Sequence, residues 1–403
     1  MTSVETTWPL SIWQRQCMDD ERTIPGVYTS STFTMNAVAE LRGPLDVGAL
    51  GRAVNELLRR HEILRTRFQP DVQVVAPQVD GHIALVDEVD IHTPVENDSP
   101  TPMVITLARQ GANEHLLSLH LHHLAADPQT LWGALAELGA LYGAELGGPA
   151  VPPPGAQFGE YVTAELEQER AGVRAAREWW QQSLGGKRFA RVHPDPDSVT
   201  FEFRDELLSA KEFAALEQLG RRQRGTVLTT MMAALSCAMQ PHITGDDVLY
   251  STVFRTRDRP RWQRMFGPCF AITYLPLPAP PSGLTADYAH AVRDTILKCQ
   301  RHNRFDVPEL RSLTPDMAFG AGVSTFFEFI PTDRPTELAF GPVAARVVTA
   351  AGPKANGVSR LGIRSRSTTD GALVGAVEAR GGGWSESTAR QLWRDVAEMV
   401  RDE

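Results

Sequence analysis

The stretch EHLLSLHLHHLAADPQTLWGALAELGALYGAEL, residues 114–146, holds the change of period that decides the fold. Its first part, EHLLSLHLHH, alternates as a strand does. Leu117, Leu119, Leu121 and His123 fall on one face, and Leu116, Ser118, His120 and His122 fall on the other. Its second part, ADPQTLWGALAELGALYGAEL, reads as a helix. Asp127 suits an N-cap and Pro128 the first helical position, where a missing N–H costs nothing. His123 is therefore expected at the end of a strand, on its apolar side, just before a helix opens. Such junctions often carry reactive groups, because rigid elements hold the side chain while the loop opens a cavity.

Outward from this stretch, helices and strands intermingle in both halves of the chain. LDVGALGRAVNELLRRH places Leu50, Val54, Leu57 and Leu58 at helical spacing, and ILRTRF alternates like a short strand. GGPAVPPPGAQ, from Gly147 to Gln157, has three successive prolines that can neither continue a helix nor join a central strand. It reads as the exit from a first lobe. A long helix is expected over 159–184, closed by GGKRFARVHPDPDS. Beyond it, GTVLTTMMAALSCAM reads as a buried helix, and DVLYSTVF, ITYLPLPA, STFFEFIP and ALVGAVEARG read as strands. TADYAHAVRDTILKCQRH and SESTARQLWRDVAEMV read as amphipathic helices, the latter capped by Ser385 or Ser387. The expected division is 1–160 for the first lobe, 161–199 for a connecting helix and linker, and 200–403 for the second. The class is mixed α/β (α+β).

Composition narrows the function. Charged residues make up 22% and hydrophobic ones 42% of the 403 residues, as in a soluble globular protein. The net charge of −9 argues against a nucleic-acid surface, which needs an excess of Lys and Arg. Arg255, Arg257, Arg259, Arg261 and Arg264 cluster locally, as a solvated loop or a small anion-binding patch. Cys17, Cys237, Cys269 and Cys299 are widely spread and read as reduced thiols rather than a disulfide frame or a zinc site. The opening MTSVETTWPLS lacks the pattern of a secretion signal, and no apolar run approaches a membrane span, so a cytoplasmic location without membrane partners is expected.

HLHHLAAD admits three readings. His123 could be a core histidine with Asp127 merely a cap. His120, His122 and Asp127 could offer metal ligands, although the HxHxDH pattern would need Asp and His where Leu124 and Ala125 stand. Or His123 could serve acyl transfer, since imidazole titrates where an attacking amine or hydroxyl must lose its proton.

The third reading gains from a resemblance. HHLAAD resembles the HHxxxDG signature of condensation domains of nonribosomal peptide synthetases, in the chloramphenicol-acetyltransferase-like superfamily. WPLSIWQRQ (Trp8 to Gln16) is similar to the family's opening Ser-x-x-Gln motif, and RHEILRTRF (Arg60 to Phe68) to its RHExLRTxF. QFGEYVTAE, REWWQQSL, MFGPCFAITYLPL and HNRFDVPEL resemble later family segments in the correct order. The resemblance implies two lobes in a V shape with a central tunnel, and a donor delivered on the phosphopantetheine arm of an acyl or peptidyl carrier protein. The acceptor would be a carrier-bound or free small molecule, and no cofactor would be bound. The product would be an amide or ester, as in antibiotic and other natural-product biosynthesis. His123 would be the reacting-centre histidine and His122 its structural neighbour. Asp127 would hold the loop by pairing with an arginine, Arg65 first and Arg257 second. The alternative is a catalytically silent member that binds a carrier or recruits a partner enzyme. The chain departs from the pattern at Pro128, where the family has glycine, and at Ile272 and Thr273, where its tunnel strand has an asparagine.

Overall fold

The computed structural model describes residues 5–30, 33–96, 98–193, 197–313, 325–331, 335–348, 361–379 and 383–401. In chain order the first half contains β1 (Thr6–Pro9), α1 (Ile12–Thr23), β2 (Thr34–Arg42), α2 (Val47–Arg60), β3 (Thr66–Phe68), β4 (Val72–Val75) and β5 (Ile83–Val86). β6 (Met103–Arg109), β7 (Glu114–His122), α3 (Pro128–Glu145) and α4 (Phe158–Leu184) complete it. The second half contains β8 (Arg191–Val192), β9 (Phe201–Leu208), α5 (Ala210–Arg222), α6 (Val227–Met239), β10 (Ile243–Thr244), β11 (Val248–Arg255) and β12 (Phe270–Leu277). α7 (Ala286–Arg301), α8 (Val307–Arg311), β13 (Thr325–Ile330), β14 (Glu337–Phe340), β15 (Val343–Val348), β16 (Leu361–Ser367), β17 (Leu373–Ala379) and α9 (Glu386–Arg401) follow.

The chain forms two compact units. The first carries a six-stranded sheet in the order β14-β15-β2-β7-β6-β5, antiparallel except where β5 meets β6, and a small sheet β1-β4-β3. The second carries a six-stranded sheet in the order β12-β11-β13-β16-β17-β9, and the short pair β10-β8. In that sheet β11, β13 and β16 run parallel, while β17 and β9 are antiparallel to their neighbours.

The expected colinear division into 1–160, 161–199 and 200–403 differs from this arrangement in two places. Arg255–Phe270 and the hairpin β14–β15 belong to the first unit although they come from the second half. Each has a physical reason. The hairpin lies on α3 where two glycines leave room: a Cβ on Gly139 would come within 2.5 Å of the Ala339 carbonyl oxygen, and one on Gly143 within 3.3 Å of the Gly341 nitrogen. Phe340 then buries against Tyr142, with ring centroids 5.1 Å apart, and β15 pairs along the edge of β2. Arg255–Phe270 is held by buried polar bonds to the start of α3. The long helix expected over 159–184 is α4, Phe158–Leu184, and the boundary between the units falls within it, between Gln168 and Glu169. Residues 194–196 of the expected linker lie outside the described set.

Local signals explain most elements. Asp46 caps α2 by accepting from the Ala49 N–H at 2.9 Å, and Leu50, Val54, Leu57 and Leu58 are buried as their spacing implies. α6 is buried all round from Thr229 to Met239, as an apolar helix without a polar face must be. Ser385, rather than Ser387, accepts from the Thr388 N–H at the start of α9. ILRTRF is strand only from Thr66; Glu62–Arg65 forms a 3-10 turn, because α2 must first reverse direction.

Candidate active site

β7 delivers the histidine pair, and the chain leaves the strand between its two members. His122 is the last strand residue, and His123–Ala125 form a 3-10 turn before Asp127 caps α3. Strict alternation would have set His123 among Leu117, Leu119 and Leu121. The turn overrides that parity and gives His123 its own surroundings. Its backbone N–H donates to the Phe33 carbonyl at 2.8 Å, while that of His122 donates to Pro102 at 2.9 Å.

The two rings have opposite hydrogen-bond states. His122 is fully buried; its Nδ1 accepts from the Leu124 N–H at 3.3 Å, so Nε2 bears the hydrogen and donates to the Ser30 carbonyl at 3.3 Å. Burial is the main reason that its pKa falls to about 4; the Ser30 contact opposes the fall and His123 adds to it. His123 is half-buried, and its Nδ1 lies 2.8 Å from the Ala126 carbonyl oxygen, which can only accept. That bond fixes the tautomer: the hydrogen sits on Nδ1 and the basic lone pair on Nε2.

Three aromatic rings surround the His123 imidazole. Phe33 stacks on it with centroids 4.8 Å apart at 21°, Trp13 lies at 5.5 Å and Phe270 at 5.7 Å. None was singled out from sequence, because they come from three distant segments. Trp13 and Phe270 had a signal through their places in WPLSIWQRQ and MFGPCFAITYLPL; Phe33 had none. Within that motif Ser11 and Gln14 form a capping box, and the Gln14 amide donates to the Leu124 carbonyl at 2.9 Å, tying α1 to the 3-10 turn.

Asp127 is buried and caps α3 by accepting from the Thr130 N–H at 2.8 Å. Its arginine is Arg257. Nη1 bonds Oδ2 and Nη2 lies 3.2 Å from Oδ1, and the guanidinium also donates to Thr130 and to the carbonyls of Met265 and Gly267. The Cys269 N–H donates to Asp127 Oδ2 at 3.1 Å. Burial would raise the Asp127 pKa, but the Arg257 charge and these bonds hold it below the ordinary value. Gly267, at φ +139°, passes so close to Phe158 that a Cβ would lie 2.1 Å from its ring, which is why glycine stands there. Arg65, the first partner expected, is engaged elsewhere. It ends the 3-10 turn before β3, its backbone pairs with Ala76 at 3.0 Å, and its guanidinium bonds the same residue's carbonyl.

RHEILRTRF acts as a bracket between elements of the first unit. Arg60 and His61 both reach Glu137 on α3, at 2.6 and 3.1 Å, while His61 stacks on Phe266 at 3.8 Å. Glu62 accepts from the Trp8 indole at 3.1 Å. In the second unit, Ile272 and Thr273 lie on β12, half-buried and buried. Pro128 is the first residue of α3, a place where its ring fits the helix and no N–H is needed.

The metal reading finds most of its nitrogen and oxygen atoms engaged, although His120 Nδ1 is buried without a hydrogen-bond partner. His120 Nε2 lies 2.7 Å from Ser118 Oγ, His122 has both nitrogens bonded, and Asp127 is paired with Arg257. Among the described residues no three His, Cys, Asp or Glu side chains gather as a ligand set. The four cysteines are buried free thiols.

The sequence profile described as "Condensation domain" matches residues 26–325. The chain belongs to the condensation-domain family. Among curated relatives, a linear gramicidin synthase of Brevibacillus parabrevis is 27% identical over 64% of this chain, and cyclosporin synthetase of Tolypocladium inflatum 27% over 58%. The aligned part covers only 6% and 2% of those relatives. Among solved structures, the condensation domain of the monacolin K polyketide synthase aligns at TM-score 0.80 and 15% identity, over 98% of this chain and 96% of that one. The X-domain from teicoplanin biosynthesis, solved as a complex with OxyB, aligns at TM-score 0.76 and 21% identity, over 100% of this chain and 95% of that one. These likenesses show that this condensation domain has the chloramphenicol-acetyltransferase-like mixed α/β fold.

Proposed function

We propose that this condensation domain transfers an acyl or peptidyl group from a carrier-bound phosphopantetheine thioester to an amine or hydroxyl acceptor. The observation that carries the reading is the tautomer of His123. Nδ1–H is spent on Ala126, so Nε2 is the basic atom, while His122 beside it has both nitrogens committed and stays neutral. In the reaction the acceptor nitrogen or oxygen attacks the thioester carbonyl, and its proton passes to His123 Nε2. The carbon–sulfur bond then breaks and the departing thiolate takes that proton back from the His123 imidazolium, giving the free pantetheine thiol, an amide or ester, and a neutral His123. His123 Nε2 accepts the acceptor's proton or orients its N–H or O–H for attack. Holding both partners beside one imidazole supplies further rate through proximity. His122, Asp127 and Arg257 are positioning residues that hold the turn. Pro128, at the start of α3, and Ile272 and Thr273, on β12, are the positions that the family resemblance assigns to substrate contact. The carrier protein is the partner, and the domain works without a bound cofactor.

A second reading is favoured by Pro128 and by one structural neighbour. The X-domain from teicoplanin biosynthesis is solved in complex with OxyB, so a fold of this kind can serve to hold a partner protein. A one-pot assay separates the two. Loaded carrier protein, candidate amine and hydroxyl acceptors and the domain are incubated and read by intact mass spectrometry. Loss of the acyl mass from the carrier with matching acceptor product supports transfer; carrier binding without product, across acceptors, supports the recruiting role.

A further inference from the structure

We propose that Glu21 is a positioning residue for His123, acting through the aromatic segment that follows α1. The carboxylate of Glu21, near the C-terminal end of that helix, gathers the next residues of the chain around itself. It accepts from the N–H of Gly26, from the N–H groups of Tyr28 and Thr29 at 2.9 and 3.2 Å, and from Thr29 Oγ1 at 2.6 Å. One side chain thus accepts from three backbone N–H groups of this irregular stretch. Burial alone would raise the Glu21 pKa, but the bonds from Thr29, Gly26 and Tyr28 hold it below the ordinary carboxylate value, so the acceptor is charged at neutral pH.

What Glu21 fixes adjoins Ser30 and Phe33, the residues that meet the histidines. Tyr28 meets Phe33 edge-on at 5.1 Å, and Phe33 stacks on the imidazole of His123. The Ser30 carbonyl receives His122 Nε2, and the Phe33 carbonyl receives the His123 N–H. α1 therefore frames His123 twice: Trp13 and Gln14 at its start touch the ring and the turn, and Glu21 near its end holds the segment that leads to Phe33, whose ring lies 6.3 Å from that of Trp13. Charge-assisted bonds to backbone N–H groups are stronger than neutral ones, which suits a half-exposed residue to this task.

The inference about turnover rests on the proposed acyl transfer; the inference about geometry does not, and the test separates them. The C–H resonances of the His123 ring, assigned by their loss in His123→Ala, report ring-current shielding from Phe33 in 13C-histidine-labelled protein. Glu21→Gln keeps the shape but turns an amide toward backbone donors. It is expected to move the His123 resonances toward unshielded positions while the histidines other than His122 and His123 stay in place, and to lower kcat about tenfold with KM for the loaded carrier unchanged. Thr29→Val, which removes a single bond, is expected to move them the same way by less. Should Glu21→Gln not fold, Thr29→Val carries the test alone. A folded variant whose His123 resonances do not move, with or without a loss of thermal stability, overturns the proposal. Moved resonances in a protein that transfers no acyl group support it and count against the proposed function instead.

Discussion

Asp127→Ala is the perturbation with the most structure behind it. The side chain caps α3 through Thr130, pairs with Arg257 through both oxygens and accepts from the Cys269 N–H, all in a buried setting. The cap alone is worth about 1 kcal/mol. Breaking the pair strands a guanidinium, which costs about 3–5 kcal/mol when the remaining charge stays buried. Arg257 keeps Thr130 Oγ1 and two carbonyls as acceptors, which solvate it in part, so the lower end of the range applies. A total loss of about 4 kcal/mol is expected, a large part of an ordinary folding stability of about 5–15 kcal/mol. Thermal and urea unfolding followed by circular dichroism reads it. Asp127→Asn should fall between, since an amide oxygen can still cap the helix but brings no charge. Residual activity should keep the shape of its pH–rate profile and drop in height, because the loop shifts while the imidazole chemistry persists. A loss below about 1 kcal/mol, the range of an exposed pair, would refute the reasoning about burial. A changed limb or slope in the profile at unaltered stability would place Asp127 in the chemistry.

Acid should destabilise the first unit through His120 and His122. Both have a folded pKa of about 4, lowered chiefly by burial, against an ordinary value of 6.5. Their stabilising share is complete above pH 6.5 and shrinks as pH falls toward 4, because the unfolded chain binds the protons first. At pH 5 the loss is about 2 kcal/mol for each ring, and urea melts at pH 7 and 5 should show it; a flat profile contradicts the buried neutral imidazoles. Elemental analysis of the purified protein should find no stoichiometric zinc, iron or manganese. A metal whose removal abolishes activity would overturn the acyl-transfer assignment.

The site was legible in sequence where the signal is local. Asp127 announces itself as a cap through the Pro128 that follows it, and the alternation of β7 is plain up to His122. It failed where the chain turns. A 3-10 turn begins at His123, and no alternation rule foresees a break in its own period. Partners far apart in sequence were the harder part. Arg65 and Arg257 both stood near matching motifs, and what separates them is where each backbone runs. Arg65 is drawn to Ala76 by the pairing of β3 with β4, while Gly267 and Thr130 bring Arg257 under α3. Trp13, Phe33 and Phe270 converge on His123 from three segments, and the hairpin β14–β15 crosses to the first unit because Gly139 and Gly143 admit it. Such pairings depend on shape complementarity between distant segments, which a hydrophobic period does not encode.

The account stands on His123 Nε2 as the atom at the reacting centre. The measurement that tests this most directly is single-turnover acyl transfer from a loaded carrier protein, comparing the wild-type domain with His123→Ala and confirming by circular dichroism that both are folded. Removing a positioned acid–base group is expected to slow transfer by at least about 10²-fold. Transfer at the wild-type rate in the folded variant would contradict the assignment and return His123 to the role of a core histidine.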